Sequence, residues 1–422
     1  MIKVENHIHF SSVAEWLHYL ENRNQQEINL NLANVKAVAK SMQLLQTNAK
    51  VIIIGGTNGK GSTVAALESI YLTAGYQVGC YTSPHLVNFN ERIKINRQPI
   101  SDKNLYAAFK QVLHKRIELP LTYFEVSTLA ALWYFKQHQL DFIILEVGLG
   151  GRQDATNIID ADLAIITTID LDHQEWLGET KEKIGYEKAG ILRHQQPVIF
   201  ADLIMPDSVW AEAHKLNCQI YCCGINYHYC LRQDYLQINF QDQVINLPLL
   251  NLHPNSIAAA VTAVIYWQNF YPVSFEQIVN GIKNIFLPGR LEIVQGKHIT
   301  LFDVAHNEQA VSYLASYIKK VNCNYNAIHA IFSALKDKNI AGMIKLLRPY
   351  IDYWYPAQLT NKRACAGEQL LDIYQEQGIE VKLNLNPVLA YKEACQHASP
   401  NDLIIVFGSF FTVGAVMQYA TT

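Results

Sequence analysis

A chain of 422 residues that is half hydrophobic has ample apolar material for large cores, and its length fits two domains better than one or three. With 17% charged side chains and a net charge of −3, it encodes no general attraction to nucleic acid or to an anionic membrane. Met1 to Phe10 lacks a signal-peptide core, and no apolar run reaches the ~20 residues a bilayer span needs, so a soluble cytoplasmic protein is expected; a monomer is expected separately.

Taken from the N-terminus, the chain alternates short β-branched apolar runs with turns and segments of helical periodicity, the rhythm of a parallel sheet with crossover helices. Val51 to Ile54, Gln77 to Thr82, Phe142 to Val147, Leu163 to Thr168 and Val198 to Ala201 are predicted as buried strands. Four of the eight cysteines fall between Cys218 and Cys230, near His228. A zinc site would want paired C-x-x-C knuckles, which are missing, so ordinary reduced thiols on strands and loops are expected. An Ala-rich helix is predicted from Asn255 to about Asn269 and another over 274–285, followed by the breaker Pro288-Gly289. The rhythm restarts with expected strands at Ile299 to Val304, Ala327 to Phe332, Tyr353 to Tyr355, Glu380 to Leu383 and Leu403 to Gly408. The spacing thus divides the chain into a first α/β domain over 1–287, a hinge over 288–296 and a smaller α/β domain over 297–422.

The first chemical signal is Gly55-Gly56-Thr57-Asn58-Gly59-Lys60-Gly61-Ser62, set between an apolar strand and a helix predicted over Val64 to Ala74. Glycines allow successive N–H groups to turn toward one phosphate, the helix N-terminus adds its dipole, and Lys60 brings a point charge for the outer phosphates of a nucleotide. Against the pattern G-x-x-x-x-G-K-[ST], Ile54 stands where the first glycine belongs, and Gly61 where the hydroxyl belongs, the hydroxyl having moved to Ser62.

That departure is itself informative, because the loop resembles the phosphate loop of the folylpolyglutamate synthases, distant relatives of the Mur ligases. Further segments resemble the family in order: Thr82-Ser83-Pro84-His85-Leu86 with Glu91-Arg92, then Leu145 to Arg152 with Asp154-Ala155-Thr156-Asn157, then Asp172-His173, then Glu187-Lys188-Ala189-Gly190-Ile191. Pro288-Gly289-Arg290, Asp303-Val304-Ala305-His306-Asn307 and Gly408-Ser409 complete the series. The resemblance implies a P-loop nucleotide-binding α/β domain with a parallel sheet, joined to a smaller C-terminal Rossmann-like α/β domain. The activity implied is an ATP-dependent, ADP-forming ligation of L-glutamate, through an acyl phosphate, to dihydropteroate and to reduced folates. Folylpolyglutamate synthesis alone is the alternative. A Mur-type cell-wall ligase and a non-catalytic P-loop module are remoter, the first because only 54 residues precede Gly55.

The resemblance also implies roles for single residues. ATP falls to Thr57, Asn58, Gly59, Lys60, Gly61 and Ser62, with Asn255, Arg290 and Asp303. One magnesium ion falls to Ser83, Glu146 and His173, and a second to Lys188 after carbon dioxide has converted its amine into a carbamate. A monovalent cation is a further possibility for the site. Glu146 makes physical sense in this role, since a carboxylate at the end of a buried strand reaches the edge of a parallel sheet where ligands bind. Lys60, Lys188 and His306 are the expected catalytic residues, His306 serving glutamate or the reacting carboxylate. A pterin pocket is implied at Glu27-Ile28-Asn29-Leu30, at Thr122-Tyr123-Phe124-Glu125 ahead of a helix, and at Gln153, Asp154 and Ala155. Asn29 departs from the bifunctional pattern, which has an aspartate there; an amide lacks the charge that favours a protonated pterin nitrogen.

Overall fold

The computed structural model describes residues 10, 12–23, 31–116 and 119–420. They separate into two compact units, the first comprising Met1–Pro84, Asn90–Leu250 and Pro254–Ile285, the second His85–Phe89, Asn251–His253 and Phe286–Thr422. Among the described residues no helix is long and apolar enough to cross a membrane.

The first unit is built on strands β1 (Lys50–Gly55), β2 (Val78–Tyr81), β3 (Ile93–Ile95), β4 (Gln98–Pro99), β5 (Phe142–Glu146), β6 (Leu163–Ile166), β7 (Pro197–Phe200) and β8 (Gln219–Cys222). They form one sheet in the order β4-β3-β2-β5-β1-β6-β7-β8, parallel except where β3 pairs with β2 and β4. The central strands are buried along nearly their whole length. Continuous Val/Ile runs of this kind belong to a sheet covered by helices on both faces. One covering helix, Lys60–Thr73, leaves the end of β1 and is buried from Ser62 to Tyr71. Against it lies Pro254–Tyr266, buried from Asn255 to Ile265, whose alanines let two helices approach closely. Each expected strand of this unit is present within a residue or two, and the helix predicted from Val64 begins earlier, at Lys60.

A small antiparallel sheet was not anticipated. It consists of β9 (Tyr227–Leu231), β10 (Tyr235–Phe240) and β11 (Gln243–Pro248), with β10 central. The signal was present as strict alternation, because Leu236, Ile238 and Phe240 are buried while their neighbours are partly exposed. All eight cysteines are free thiols. Burial pushes Cys222 and Cys223 up to about 11, which keeps both protonated.

The second unit has β12 (Glu292–Gln295), β13 (Ile299–Phe302), β14 (Ile328–Phe332), β15 (Tyr353–Pro356) and β16 (Leu403–Phe407) in the order β12-β13-β16-β14-β15. Only β12 runs antiparallel to its neighbour. Here the expected strand at Glu380–Leu383 is absent. Val381 and Leu383 pack onto the core without a ladder, and the segment's contact with β15 is a single bridge from Asn384 to Ala357. Alternation there reflects one buried face, which packing alone can satisfy.

Candidate active site

The loop after β1 takes its shape from two backbone positions. Gly56 and Gly59 have φ of 141° and 91°, and a side chain at Gly56 would collide with the Thr167 hydroxyl. The helix that starts at Lys60 has no side-chain cap, the arrangement in which first-turn N–H groups and the helix dipole can serve an anion. Lys60 Nζ donates to the carbonyls of Gly56 at 3.0 Å and Thr57 at 3.2 Å. Lys188, on the helix Lys181–Ala189, donates to the same Gly56 oxygen at 2.8 Å. Two amines thus meet at one carbonyl. Lys188 is buried, and burial reinforced by the charge of Lys60 pushes it down to about 7, with Asp172 and Asp154 opposing. An amine so placed is held nearer its neutral form than an exposed lysine.

Other expected ATP contacts lie in the same loop, with Ser62 buried in the first helical turn. Asn58 N–H donates to Thr168 Oγ1 at 3.1 Å. The Thr57 hydroxyl, however, faces the loop after β6, giving to Asp170 O and receiving from Asp170 N. Asn255 is buried at the start of its helix, where the adjacent Ser256 Oγ donates to Gly59 O at 3.3 Å. Thr167, Thr168, Asp170 and Ser256, which shape this loop, escaped the sequence reading. Their signal was faint: three are hydroxyl residues just beyond a strand or just inside a helix, and Asp170 acts through its backbone.

Glu146 ends β5 and is buried. Its Oε2 accepts the Ser83 N–H at 3.2 Å, and a β-carbon at Gly61 would stand 3.8 and 3.9 Å from its two oxygens. This carboxylate therefore lies beside both the phosphate loop and the turn after β2. His173 follows β6 in a left-handed conformation (φ 50°, ψ 40°) that starts a short helix, Gln174–Leu177. Its Nε2 is 3.9 Å from Asp172 Oδ2. No group of three His, Cys, Asp or Glu side chains suited to a metal exists among the described residues. The expected set has only two such side chains, completed by a serine hydroxyl and a lysine that must first become an anion. A buried carboxylate, a hydroxyl and an imidazole are chemically suited to a divalent cation beside phosphate oxygens, with the carboxylate the strongest donor.

Of the expected pterin pocket, Glu27, Ile28, Asn29 and Leu30 lie outside the described residues. Thr122 to Glu125 does not precede the helix Tyr123–Lys136 but makes its start: Thr122 Oγ1 accepts from Glu125 N at 3.2 Å and Glu125 Oε2 from Thr122 N at 2.6 Å, a capping box. Phe124 is half-buried, its ring edge against Gly148 and 5.8 Å from the Tyr81 ring. Burial pushes Tyr123 up to about 12, while Arg92, 5.4 Å above its ring, opposes the shift. Asp154 is buried and accepts four bonds, from Gly148 N, Leu149 N, Thr156 N and Thr156 Oγ1. Those bonds match the acceptor capacity of a carboxylate, so Asp154 organises the loop that bears Gln153 and Ala155. Burial raises its pKa against these bonds.

In the second unit, Asp303 follows β13 and accepts from Leu291 N at 2.9 Å and Ala305 N at 2.8 Å. Burial raises its carboxyl, and the Arg290 guanidinium opposes that shift. Arg290 also lies 5.6 Å from the Phe410 ring. His306 Nδ1 is 2.9 Å from Val304 O; a ring nitrogen facing a carbonyl carries the proton, so in the neutral imidazole Nε2 is the acceptor. Ser409 accepts from Thr412 N at 3.0 Å and so caps the last helix.

This pairing of a lysine-bearing phosphate loop with a second parallel α/β unit is matched by two family models. Residues 54–260 fit the Mur ligase middle domain and residues 289–410 the Mur ligase glutamate ligase domain. The dihydrofolate synthase/folylpolyglutamate synthase of Escherichia coli strain K12 is 41% identical to this chain, over 97% of this chain and 95% of that protein. A solved structure of the E. coli protein in complex with DHPP and ADP superposes with a TM-score of 0.92 at 39% identity, covering 97% of this chain and 98% of that one. A bifunctional folylpolyglutamate synthase/dihydrofolate synthase with Mn, AMPPNP and L-glutamate bound gives a TM-score of 0.90 at 38% identity, covering 98% of each chain. The chain belongs to the dihydrofolate synthase/folylpolyglutamate synthase family of the Mur ligases.

Proposed function

We propose that this protein is an ATP-dependent, ADP-forming ligase that joins L-glutamate to dihydropteroate, giving dihydrofolate, and to the γ-carboxylate of folates, lengthening their glutamate tail. The observation that carries the reading is the convergence of Lys60 and Lys188 on the Gly56 carbonyl, beside the buried Glu146, at the start of an uncapped helix. That cradle is built for a polyanion. The first-turn N–H groups and Lys60 hold the triphosphate, Lys60 exchanging its two carbonyl partners for phosphate oxygens. The γ-phosphoryl group passes to the substrate carboxylate, so that the carboxyl carbon gains a phosphate leaving group. The glutamate amine then attacks that carbon and expels inorganic phosphate.

Ser83, Glu146 and His173 would hold one magnesium ion and a carbamylated Lys188 a second, these ions supplying charge neutralisation for the transferring phosphoryl group. Carbamylation consumes the neutral amine of Lys188 and replaces a buried cation by an anion, which relieves its repulsion with Lys60. Arg290, within electrostatic reach of Asp303, complements negative charge, and the acceptor Nε2 of His306 suits the ammonium group of incoming glutamate. Phe124, with the loop held by Asp154, offers a flat apolar surface and backbone polar groups to a pterin ring. The protein acts on small molecules as a cytoplasmic monomer in this reading.

Mass analysis of products from ATP, L-glutamate and either dihydropteroate or a reduced folate tests it. Dihydrofolate from the first and a glutamate-extended folate from the second, each with one ADP and one phosphate per bond, are expected. Extension of folate without any dihydrofolate would leave only the polyglutamylating half.

A further inference from the structure

The Thr57 hydroxyl is bonded in a way that phosphate contact alone does not require. β1 and β6 pair in parallel up to Gly55 and Ile166, and the ladder continues past both strands through Thr167 N to Gly55 O at 2.9 Å and Thr57 N to Thr168 O at 2.6 Å. Backbone pairing then gives out. The next rung is made by the side chain: Asp170 N donates to Thr57 Oγ1 at 3.1 Å, and Thr57 Oγ1 donates to Asp170 O at 3.2 Å. One hydroxyl thus stands in for a residue's N–H and C=O together, and Thr57 is buried while doing so.

Asp170 is three residues from His173. Its carboxylate accepts from Leu171 N at 2.9 Å and pairs with Lys181 Nζ at 2.8 Å. The neighbouring Asp172 accepts His173 N at 2.9 Å, and His173 adopts its left-handed conformation immediately afterwards. Hydrogen bonds thus tie Asp170 to the phosphate loop, and from Asp170 the chain itself runs three residues to the histidine, braced at Leu171 and His173 by the two aspartates. On the other flank, Thr167 presses on Gly56, whose carbonyl holds both lysines.

We propose that Thr57 is a positioning residue, a latch that ties the phosphate loop to the segment carrying His173, so that nucleotide binding and metal binding set one another's geometry. The inference rests on the assignment of His173 to the metal and so on the function proposed above. Serine keeps both bonds of the latch, whereas valine, nearly the same shape, keeps neither.

The test is the affinity for Mn2+, read by electron paramagnetic resonance titration of the full-length protein saturated with AMPPNP, for wild type, Thr57→Ser and Thr57→Val. The valine variant should bind Mn2+ about tenfold more weakly, the loss expected from one to two buried hydrogen bonds, and the serine variant within about twofold of wild type. Lys181→Met removes only the exposed pair on Asp170; it should weaken Mn2+ by about threefold and carries the test if the valine variant fails to fold. Wild-type Mn2+ affinity in whichever of Thr57→Val and Lys181→Met folds overturns the latch, whether or not thermal stability has dropped. So does a valine variant that loses AMPPNP affinity while its Mn2+ affinity is unchanged, since that marks a phosphate contact. A wild-type protein that, saturated with AMPPNP, binds no Mn2+ beyond what the free nucleotide takes up would instead overturn the metal assignment on which the latch depends.

Discussion

The loops after β1, β5 and β6 in the first unit and those after β13 and β16 in the second occupy the same place in two parallel sheets, the carboxyl ends of the strands. They manage charge in opposite ways. In the first unit two lysine amines converge on a single carbonyl oxygen with a buried carboxylate alongside, so cationic groups are gathered where the anion of a nucleotide would lie. In the second, the buried Asp303 is already held by two backbone amides and influenced by Arg290, so the charge is compensated within the unit. The difference teaches that the first edge is built to receive a ligand and the second to hold a few side chains in fixed orientation. Substitutions in the first should therefore damage chemistry more than stability, and those in the second should damage both.

The largest effect should come from Glu146→Gln. The amide preserves shape and can still accept the Ser83 N–H, so circular dichroism and melting temperature should stay near wild type. Ligase turnover should fall by about a thousandfold, the scale of losing a transition-state charge interaction. Turnover within about tenfold of wild type would remove Glu146 from the mechanism and weaken the contrast between the two edges.

Lys188 sharpens the comparison through pH. The unfolded chain keeps its proton up to the ordinary value of 10.5, whereas the fold releases it at about 7. Between those values the unfolded state binds the extra proton, so stability rises with pH across that window, by up to about 1.4 kcal/mol per pH unit. In carbon dioxide-free buffer, urea denaturation of wild type should show this rise. Lys188→Met should not, and it should be the more stable protein below about pH 7. Lys188→Ala should lose about a hundredfold in activity, with partial rescue by a small added carboxylate. An equal pH slope in wild type and Lys188→Met would show that the amine is not buried as a strained cation.

Asp303→Asn is the matching change in the second unit. The amide offers one oxygen for two backbone donors and turns an N–H group toward the other, a mismatch of about 1–3 kcal/mol. The melting temperature should drop together with activity. Activity loss at unchanged stability would place Asp303 with the first edge and erase the distinction.

Much of this was legible in the sequence because its signals were local. Uninterrupted Val/Ile runs predicted the parallel strands, and the Gly-rich segment before a helix predicted the phosphate loop with Lys60 in it. What was illegible depends on partners distant in the chain. Nothing near Thr57 says that its hydroxyl will bond Asp170, and nothing near Gly59 points to Ser256 almost two hundred positions away. The Glu380–Leu383 segment failed for the converse reason: its alternation was real, but it meets the end of β15 only at Asn384, so packing of Val381 and Leu383 takes the place of a ladder. Thr122 and Glu125 had the capping-box spacing in plain view, yet the resemblance drew attention to a ligand instead.

That last pair gives the smallest effect and the most selective one. The capping box occupies the Thr122 hydroxyl with Glu125 N and sets the Glu125 carboxylate on Thr122 N. A side chain engaged in this way starts the helix rather than reading a substrate, so Thr122→Val should cost about 1 kcal/mol of stability, and Thr122→Ser, which keeps the cap, almost nothing. Phe124 is the second residue of the helix and is not fully buried; its ring lies so close to Gly148 that a β-carbon there would collide with it. Phe124→Ala should therefore raise KM for dihydropteroate about tenfold, on the scale of one lost aromatic contact, with a smaller effect on KM for ATP. Steady-state kinetics of the three variants with dihydropteroate separate the roles. A Thr122→Val protein that melts like wild type but has a greatly raised KM for dihydropteroate would return the threonine to the pocket. Unchanged KM in Phe124→Ala would mean that the ring packs the loop and that the pterin is held elsewhere.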